Sequence, residues 1–450
     1  MHSGSKEVKT IPMSSTVEVR DPVHGSIVIS REEMRIIDHA FFQRLRNIRQ
    51  LGFSDRSFPG ATHSRYLHSV GALHVVSEAF DSVFGLFDDD LFGDAPQVRR
   101  RLRLALRLAA LLHDVGHAPL SHTTEFAMGP VSELGRPLTH EEDPQRRATH
   151  EDYTLRIIVD SSLTPLLEEL LGGPSTVVAA LIDPRIKAPA DWFEHGGIDW
   201  RPLLSQMISS ELDCDRMDYL RRDSYFTGAN YGRFDLRWVL SNLTHHQVGD
   251  QAFLAVRQRA LFAVEDFLLS RHHMFLMVYF HQRSVVYGEM LRNYLTDGGD
   301  GYRLPSNVED YVGFDDPHLM QHLRASRNPW ARRIVDARPY KLLLERAGER
   351  AGEEVSAVRA RLSEAGLPLI FKRSDGNISK YVGDHAGPSA PIYVIGPGRR
   401  GRSGEAVSLH DAAELFRRYE EKRVLQRIYV PIECLDQAAG LADELLSSGS

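Results

Sequence analysis

The stretch LAALLHDVGHAPLSH, residues 108–122, constrains the fold of this chain more than any other. A leucine and alanine run with helical spacing heads for a core, yet it carries His113, Asp114, His117 and His122 with it. Buried imidazole and carboxylate are costly unless they are paired or bound to something. The rest of the chain must therefore bring partners to this helix end, which Gly116 and Pro119 mark as a stop. Adjacent side chains such as His113 and Asp114 diverge along a helix, but at its last turn both can converge on one ion lying off the end. Taken alone, the pair fits a satisfied core histidine with an aspartate cap equally well.

Two further stretches offer partners. HSRYLHSVGALH brings His63, Arg65 and His68 to the start of a second apolar helix, and SSELDCDRMDYLRRDSYFTG sets Asp215, Tyr219 and Arg222 on one helical face. One histidine, the His-Asp pair and a distant aspartate make four nitrogen and oxygen ligands. Such a set suits a hard or borderline divalent cation, and Fe, Mn, Zn, Co and Mg all remain open.

The frame around these stretches is that of a globular protein. At 450 residues, with 42% hydrophobic and 26% charged residues, the chain can bury a substantial core. Its net charge of −7 gives no general grip on nucleic acid, so an anionic ligand must meet a local basic site. Cys214 and Cys434 make no disulfide framework or zinc finger, and residues 262–280 are too interrupted by charge to span a membrane. A cytoplasmic location is the expectation. Periodicity predicts helices over residues 31–51, 69–84 and 98–116, with a buried helix or helix pair over 254–295. Residues 129–149 and 183–201 read as loops. The short strands APIYVIG and QRIYVPI flank a helix at about 408–422. The expected organisation is a flexible tail (1–15), a mostly α catalytic core (16–300), and a C-terminal part (301–450) that is helical and then a small α/β lobe.

In order, the residues read HxxxxH, HDxGH, HE and DxDxxDY. This pattern is similar to that of the HD-domain metal-dependent phosphohydrolases. The words DPVHGSIVI, RIIDHAFFQRLRNIRQLG, FPGATHSRYLHSVG, LLHDVGHAPLSH, THED and ELDCDRMDYLRRD narrow the resemblance to the deoxynucleoside triphosphate triphosphohydrolases. Within these the chain resembles the branch with a sterile-alpha-motif module and the bacterial dGTPase-like proteins, though that module is not among these residues. The resemblance runs from about Val17 to Val430 and implies an HD-domain helical core. It implies that His68, His113, Asp114 and Asp215 bind the metal, and that His117, His122, His150 and Glu151 surround the attacked phosphorus. A metal lowers the pKa of bound water, and imidazoles near neutrality move protons to a leaving oxygen. Attack at the α-phosphorus would release deoxynucleoside and inorganic triphosphate.

By position in the resemblance, Arg65, Arg216 and Arg271 meet phosphates, with guanidinium geometry suited to bidentate contacts, while Gln50, Leu51, Tyr219, Asp223 and Tyr279 line the sugar. An aromatic close under the sugar would reject a 2′-hydroxyl. Where the resembling proteins carry a histidine and a glutamine, this chain has Phe275 and Phe280, which points to a changed base or sugar preference. The resemblance also implies activation by GTP or dGTP at subunit contacts in a homo-oligomer, a dimer or tetramer. Asp38, Gln43 and Arg46 would read guanine, and Arg257 and Arg259 keep the basic character of a second nucleotide site, although Arg20, Ala263 and Gln282 depart from the pattern there. Two other readings stay open: a phosphodiesterase or nuclease acting on single-stranded nucleic acid, and a nucleotide-sensing scaffold without turnover. The basic runs VRRRLRLALR and GPGRRGR could contact nucleic acid or nucleotide phosphate, but such runs are more often a solvated helix start and a flexible loop.

Overall fold

A computed structural model describes residues 16–85, 89–93, 95–135, 138, 143–348, 352–376, 391–397, 404–413 and 423–448. The expected tail at 1–15, most of GPGRRGR and the second half of the expected helix at 408–422 lie outside these residues.

Two long helices form the centre. In Arg65–Phe84 the buried residues include Tyr66, Val70, Leu73, Val76 and Phe80, but also Ser69, Ala72 and Ala79, so apolar contact surrounds the helix. A helix apolar on all sides belongs inside a large core. Pro96–Leu112 lies against it, with Pro96 in the first turn, where a missing N–H costs nothing. Its arginines explain the basic run: Arg99 and Arg103 pair with Asp81 at 2.9 and 2.8 Å, and buried Arg107 chelates Glu33 through Nε and Nη2 at 2.6 and 2.7 Å. These three cations are used within the molecule. No helix among the described residues is long and apolar enough to cross a membrane by itself.

The helix Cys214–Thr227 packs on Arg65–Phe84. Asp213 caps its start by accepting the Arg216 N–H at 2.8 Å, and Gly228, at φ +74°, ends it in the left-handed conformation. The two helices meet closely at Gly71, where an added Cβ would lie 2.0 Å from Asp218 Oδ1 and 2.2 Å from Arg222 Nη2.

Two departures from the expected elements have local causes. The helix over 31–51 is broken into Arg31–Ile37, Ala40–Arg44 and a short turn at Leu45–Asn47, because the His39 side chain accepts the Phe41 N–H and starts a new helix there. The apolar run at 254–256 is the middle of a strand, Gln251–Arg257, paired with Leu243–Val248 through a turn at Gly249 (φ +64°). A strand covered on both faces carries no alternation and imitates a buried helix. The helical part of that region is Leu261–Met274, a π-helical turn at Phe275–Tyr279, and Gln282–Thr296.

The two expected C-terminal strands belong to different sheets. Tyr393–Ile395 runs parallel to Gln251–Arg257 in the core's sheet. Arg423–Val430 is the central strand of a separate antiparallel sheet, between Lys341–Ala347 and Ile370–Gly376. That sheet and the helices Gly352–Glu364 and Leu435–Ser448 bury their own apolar cluster, which includes Leu344, Val355, Val358, Leu362, Ile428 and Val430.

Candidate active site

The sequence separates His68, the His113-Asp114 pair and Asp215 by scores of residues, and the helix packing brings them together. His68 Nε2 is 2.9 Å from Asp215 Oδ1 and 3.3 Å from His113 Nε2. His113 Nε2 is 3.4 Å from Asp215 Oδ1 and 3.5 Å from Asp114 Oδ1. Such separations match ligand atoms sharing one ion at bond lengths of roughly 2.0–2.2 Å. The outer contacts agree: His68 Nδ1 donates to Asp218 Oδ2 at 2.8 Å and His113 Nδ1 donates to the Ala110 carbonyl at 2.8 Å. Both Nε2 lone pairs are thereby left to face the same point, as metal-ligating histidines require. Burial pushes the His68 imidazole down, but Asp215 and Asp218 outweigh it and lift it to about 10. The carboxylates thus favour positive charge at the position a cation would take. The donor set fits a divalent metal.

Behind His68 lies a buried ionic network that sequence reasoning missed. Asp218 accepts His24 Nε2 at 2.7 Å and both Nε and Nη2 of Arg222 at 2.9 Å, while Arg222 Nη1 reaches Asp21 at 2.8 Å. A signal for it exists, since Asp218 is the third aspartate of DCDRMDY and stands one helical turn from Asp215.

Next to the ligand set, three imidazoles cluster. His117 stacks on His150 with ring centroids 3.8 Å apart, and His122 meets both edge-on at 4.9 and 4.8 Å. Glu125, one turn beyond His122, holds two of them: its Oε1 accepts His150 Nδ1 at 2.6 Å and His122 Nδ1 at 3.1 Å. Burial would raise the Glu125 carboxyl, but His122 and His150 hold it at about 2. His117 donates from Nε2 to Asp114 Oδ1 at 3.2 Å, and burial together with Arg65 and His150 keeps it well below its ordinary range, hence neutral. Glu151 is exposed on the first turn of its helix and does not line the cavity, so the carboxylate in this cluster is Glu125.

The loop between His117 and His122 is strained. Leu120 and Ser121 adopt φ of 54° and 61°, which side-chain-bearing residues rarely hold. Asp316, almost two hundred residues on, fixes the strain by accepting the N–H of Leu120 at 2.7 Å and of Arg49 at 3.0 Å. Burial pushes its carboxyl up to about 6 against the pull of those N–H groups. Arg65 adds a third tie, donating to Ser121 Oγ at 2.9 Å and to Asp114 Oδ2 at 2.5 Å.

His68, Asp114, His117, His122, His150 and Asp215 open on one cavity of about 610 Å³, within the range of roughly 300–1,000 Å³ common for small-ligand sites. Gln50, Leu51, Arg65, Tyr219, Asp223 and Tyr279 line it, as do Phe275 and Phe280. The Tyr279 hydroxyl donates to Asp223 Oδ2 at 2.8 Å, and His63 Nε2 holds the other oxygen at 2.7 Å. Arg216 and Arg271 are not on the cavity wall; both turn toward buried Glu211, at 3.4 and 3.5 Å. Of the expected effector residues, Arg257 and Arg259 line a separate cavity of about 1020 Å³ with His245 and His246. Asp38, Gln43 and Arg46 lie elsewhere, where Arg46 donates to Gln43 at 2.7 Å and covers the Tyr66 ring.

Known proteins resemble this chain in sequence and in fold. The chain is 31% identical over 335 residues to the uncharacterised protein YwfO of Bacillus subtilis, covering 70% of this chain and 65% of that one. It is 25% identical over 361 residues to the human deoxynucleoside triphosphate triphosphohydrolase SAMHD1, covering 74% of this chain and 55% of that protein. A hypothetical protein of Aquifex aeolicus shares its fold with a TM-score of 0.72 at 26% identity, over 95% of this chain and 99% of the other. A phosphohydrolase of Bacteroides thetaiotaomicron does so at 0.65 and 23% identity, over 92% and 100%. In sequence the chain is thus similar to a deoxynucleoside triphosphate triphosphohydrolase, and in fold to these two solved structures. It spans between about half and two thirds of the length of the curated relatives it matches. No family model matches it.

Proposed function

We propose that this protein is a metal-dependent hydrolase that converts deoxynucleoside triphosphates to deoxynucleoside and inorganic triphosphate. The observation that carries the reading is the meeting, in one cavity, of a four-ligand set whose bare nitrogens face a common point and an imidazole pair held by one carboxylate. His68, His113, Asp114 and Asp215 would hold the ion, which when bound polarises a phosphoryl oxygen and makes bound water nucleophilic. Arg65 balances Asp114 and presents its guanidinium to the phosphates. With Nδ1 committed to Glu125, His150 keeps Nε2 for proton transfer, and in its protonated form it supplies the proton that the departing 5′-oxygen needs when the bond to the α-phosphorus breaks. His117, neutral and stacked on it, sets its plane. The Tyr279 ring, fixed through Asp223 on the cavity wall, would pack under the sugar and select deoxyribose by rejecting a 2′-hydroxyl. Arg216 and Arg271 serve the phosphates by exchanging Glu211 for substrate. Activation by GTP or dGTP at Asp38, Gln43 and Arg46 and at the Arg257 and Arg259 cavity, in a cytoplasmic homo-oligomer, completes the proposal.

The test is incubation with each deoxynucleoside triphosphate, with and without GTP, in Mg²⁺ or Mn²⁺, and anion-exchange separation of products. Deoxynucleoside plus tripolyphosphate, absent with Asp215→Ala, is the expected result. Intact substrate throughout, or release of pyrophosphate or single phosphates, would overturn it.

A further inference from the structure

The strand Ile370–Gly376 belongs to the C-terminal sheet, yet it reaches the cavity that holds His68 and Asp215. Side chains alternate along a strand: Phe371 packs into that sheet's own apolar cluster, whereas Lys372 and Ser374 line the cavity. The strand is held there from neighbouring positions. Arg427 Nη1 donates to the Phe280 carbonyl at 2.5 Å, the Tyr429 hydroxyl donates to the Gln282 carbonyl at 3.2 Å, and Lys372 Nζ meets Glu289 Oε1 at 2.6 Å. The first two contacts fall just after the π-helical turn Phe275–Tyr279, a local form that recurs at functional sites, and the third on the helix Gln282–Thr296 that follows it.

An ammonium carries three donors and no acceptor, and Glu289 takes one of the three. Phosphate already has Arg65, the imidazoles and the metal-ligand set to meet it. The cavity wall also carries rings, Phe280 and Phe275, in edge contact at 5.6 Å, and the Phe280 carbonyl is tied to Arg427, the cross-strand partner of Lys372. Flat aromatic surface suits the face of a nucleobase, whose stacking is indifferent to sequence. A lysine at the edge of such a surface discriminates by what the base offers it. Guanine O6 and thymine O4 accept, whereas adenine N6 and cytosine N4 donate and would oppose the ammonium.

We infer that Lys372 completes the substrate site from the C-terminal sheet and reads the exocyclic group of the base, so that dGTP and dTTP are preferred to dATP and dCTP. This rests on the triphosphohydrolase reading for the substrate, and the test separates the two. kcat/KM is measured for all four nucleotides with the wild-type chain, Lys372→Met and Lys372→Arg, with a thermal melt of each variant as a check on folding. Binding of the four nucleotides by equilibrium dialysis runs in parallel. The wild type is expected to favour the keto bases by about tenfold or more, as one charge-assisted hydrogen bond supplies. Lys372→Met is expected to abolish the preference by losing activity on dGTP and dTTP only, and Lys372→Arg to keep it. A uniform fall on all four substrates, or no change on any, overturns the inference. Absence of turnover with a keto preference in binding that Lys372→Met removes would sink the reaction and leave Lys372 as the base reader.

Discussion

Glu125→Gln removes one negative charge from beneath two imidazoles while keeping the shape of the side chain. In the native protein Glu125 accepts His150 Nδ1 and His122 Nδ1, and the carboxyl is held at about 2 against an ordinary value of 4.5. Every tenfold change in proton affinity between the folded and unfolded chain corresponds to about 1.4 kcal/mol, so the charge contributes up to roughly 3 kcal/mol to folding at neutral pH. The side chain is 21% exposed, which leaves most of that in place. Because the folded value lies below the unfolded one, the contribution is complete above about 4.5 and is lost as pH falls toward about 2. Denaturant midpoints of the two proteins, followed from pH 7 to 3, should therefore be far apart at pH 7 and converge on acidification. At pH 7 the variant should also lose roughly 10²-fold or more in kcat, since His150 would no longer be held by a charge. A constant stability difference across the pH range would refute the assignment of Glu125 as the ionised partner. Unchanged kcat alongside the expected stability profile would make the cluster structural.

Asp316→Asn tests a displacement of the opposite sign. With its folded value raised to about 6, ionisation of Asp316 costs stability as pH rises from the unfolded value through 6, so the wild type should lose roughly 3 kcal/mol across that window and the variant should not; denaturation at pH 4 and pH 7.5 decides. Asp218→Asn should lower divalent-metal affinity roughly 10- to 100-fold, through loss of the carboxylate that orients His68, measured by Mn²⁺ titration calorimetry. Equal affinity in that variant would place Asp218 in the core network alone. Gly71→Ala puts a methyl against Asp218 and Arg222 and should cost about 1–3 kcal/mol in a denaturant melt together with metal affinity. A variant as stable as the wild type would mean the two helices move apart freely.

The parts of the site that are legible in the sequence share one property: each carries its own local signal. HDVGH announces a helix end with chemistry on it, and DCDRMDY places Asp215 and Tyr219 on a helix by spacing alone. Helical spacing likewise marks the two central helices, which begin a few residues earlier than the periodicity suggests because Arg65 and Pro96, at their first turns, are not apolar. What escapes depends on contacts between distant residues. Nothing around Asp316 in the sequence marks it as the residue that holds Leu120 in a strained conformation, because its partners are backbone N–H groups and any segment can offer those. Glu125 stands within reach as the carboxylate one turn after His122, but HE at 150–151 is the more conspicuous pair, and only the direction of the helix His150–Val159 decides that Glu151 faces outward.

The strands show the same division. Alternation is a signal only where one face of a strand is wet and the other apolar; Ile370–Gly376, whose Lys372 and Ser374 look into the cavity, reads IFKRSDG and carries none. Gln251–Arg257, covered on both faces, gives none and reads as helix. Tyr393–Ile395 is legible as a strand but not as a strand of the core sheet, since pairing partner is a property of the whole fold. The consequence for the site is direct. Beyond residue 340, the ties of the chain to the helical core include a strand in the core's sheet beside Arg257 and the Lys372 strand at the cavity that holds His68 and Asp215. A ligand in the cavity lined by Arg257 would touch the first tie, and one in the cavity lined by Lys372 the second. Glu289→Gln, which weakens the ion pair while keeping Lys372, should therefore loosen this strand from the helix Gln282–Thr296 and blunt any effect of a ligand at the Arg257 cavity on nucleotide binding at the other, measured as the change in dialysis affinity on adding GTP; an unchanged effect would mean this tie carries no coupling.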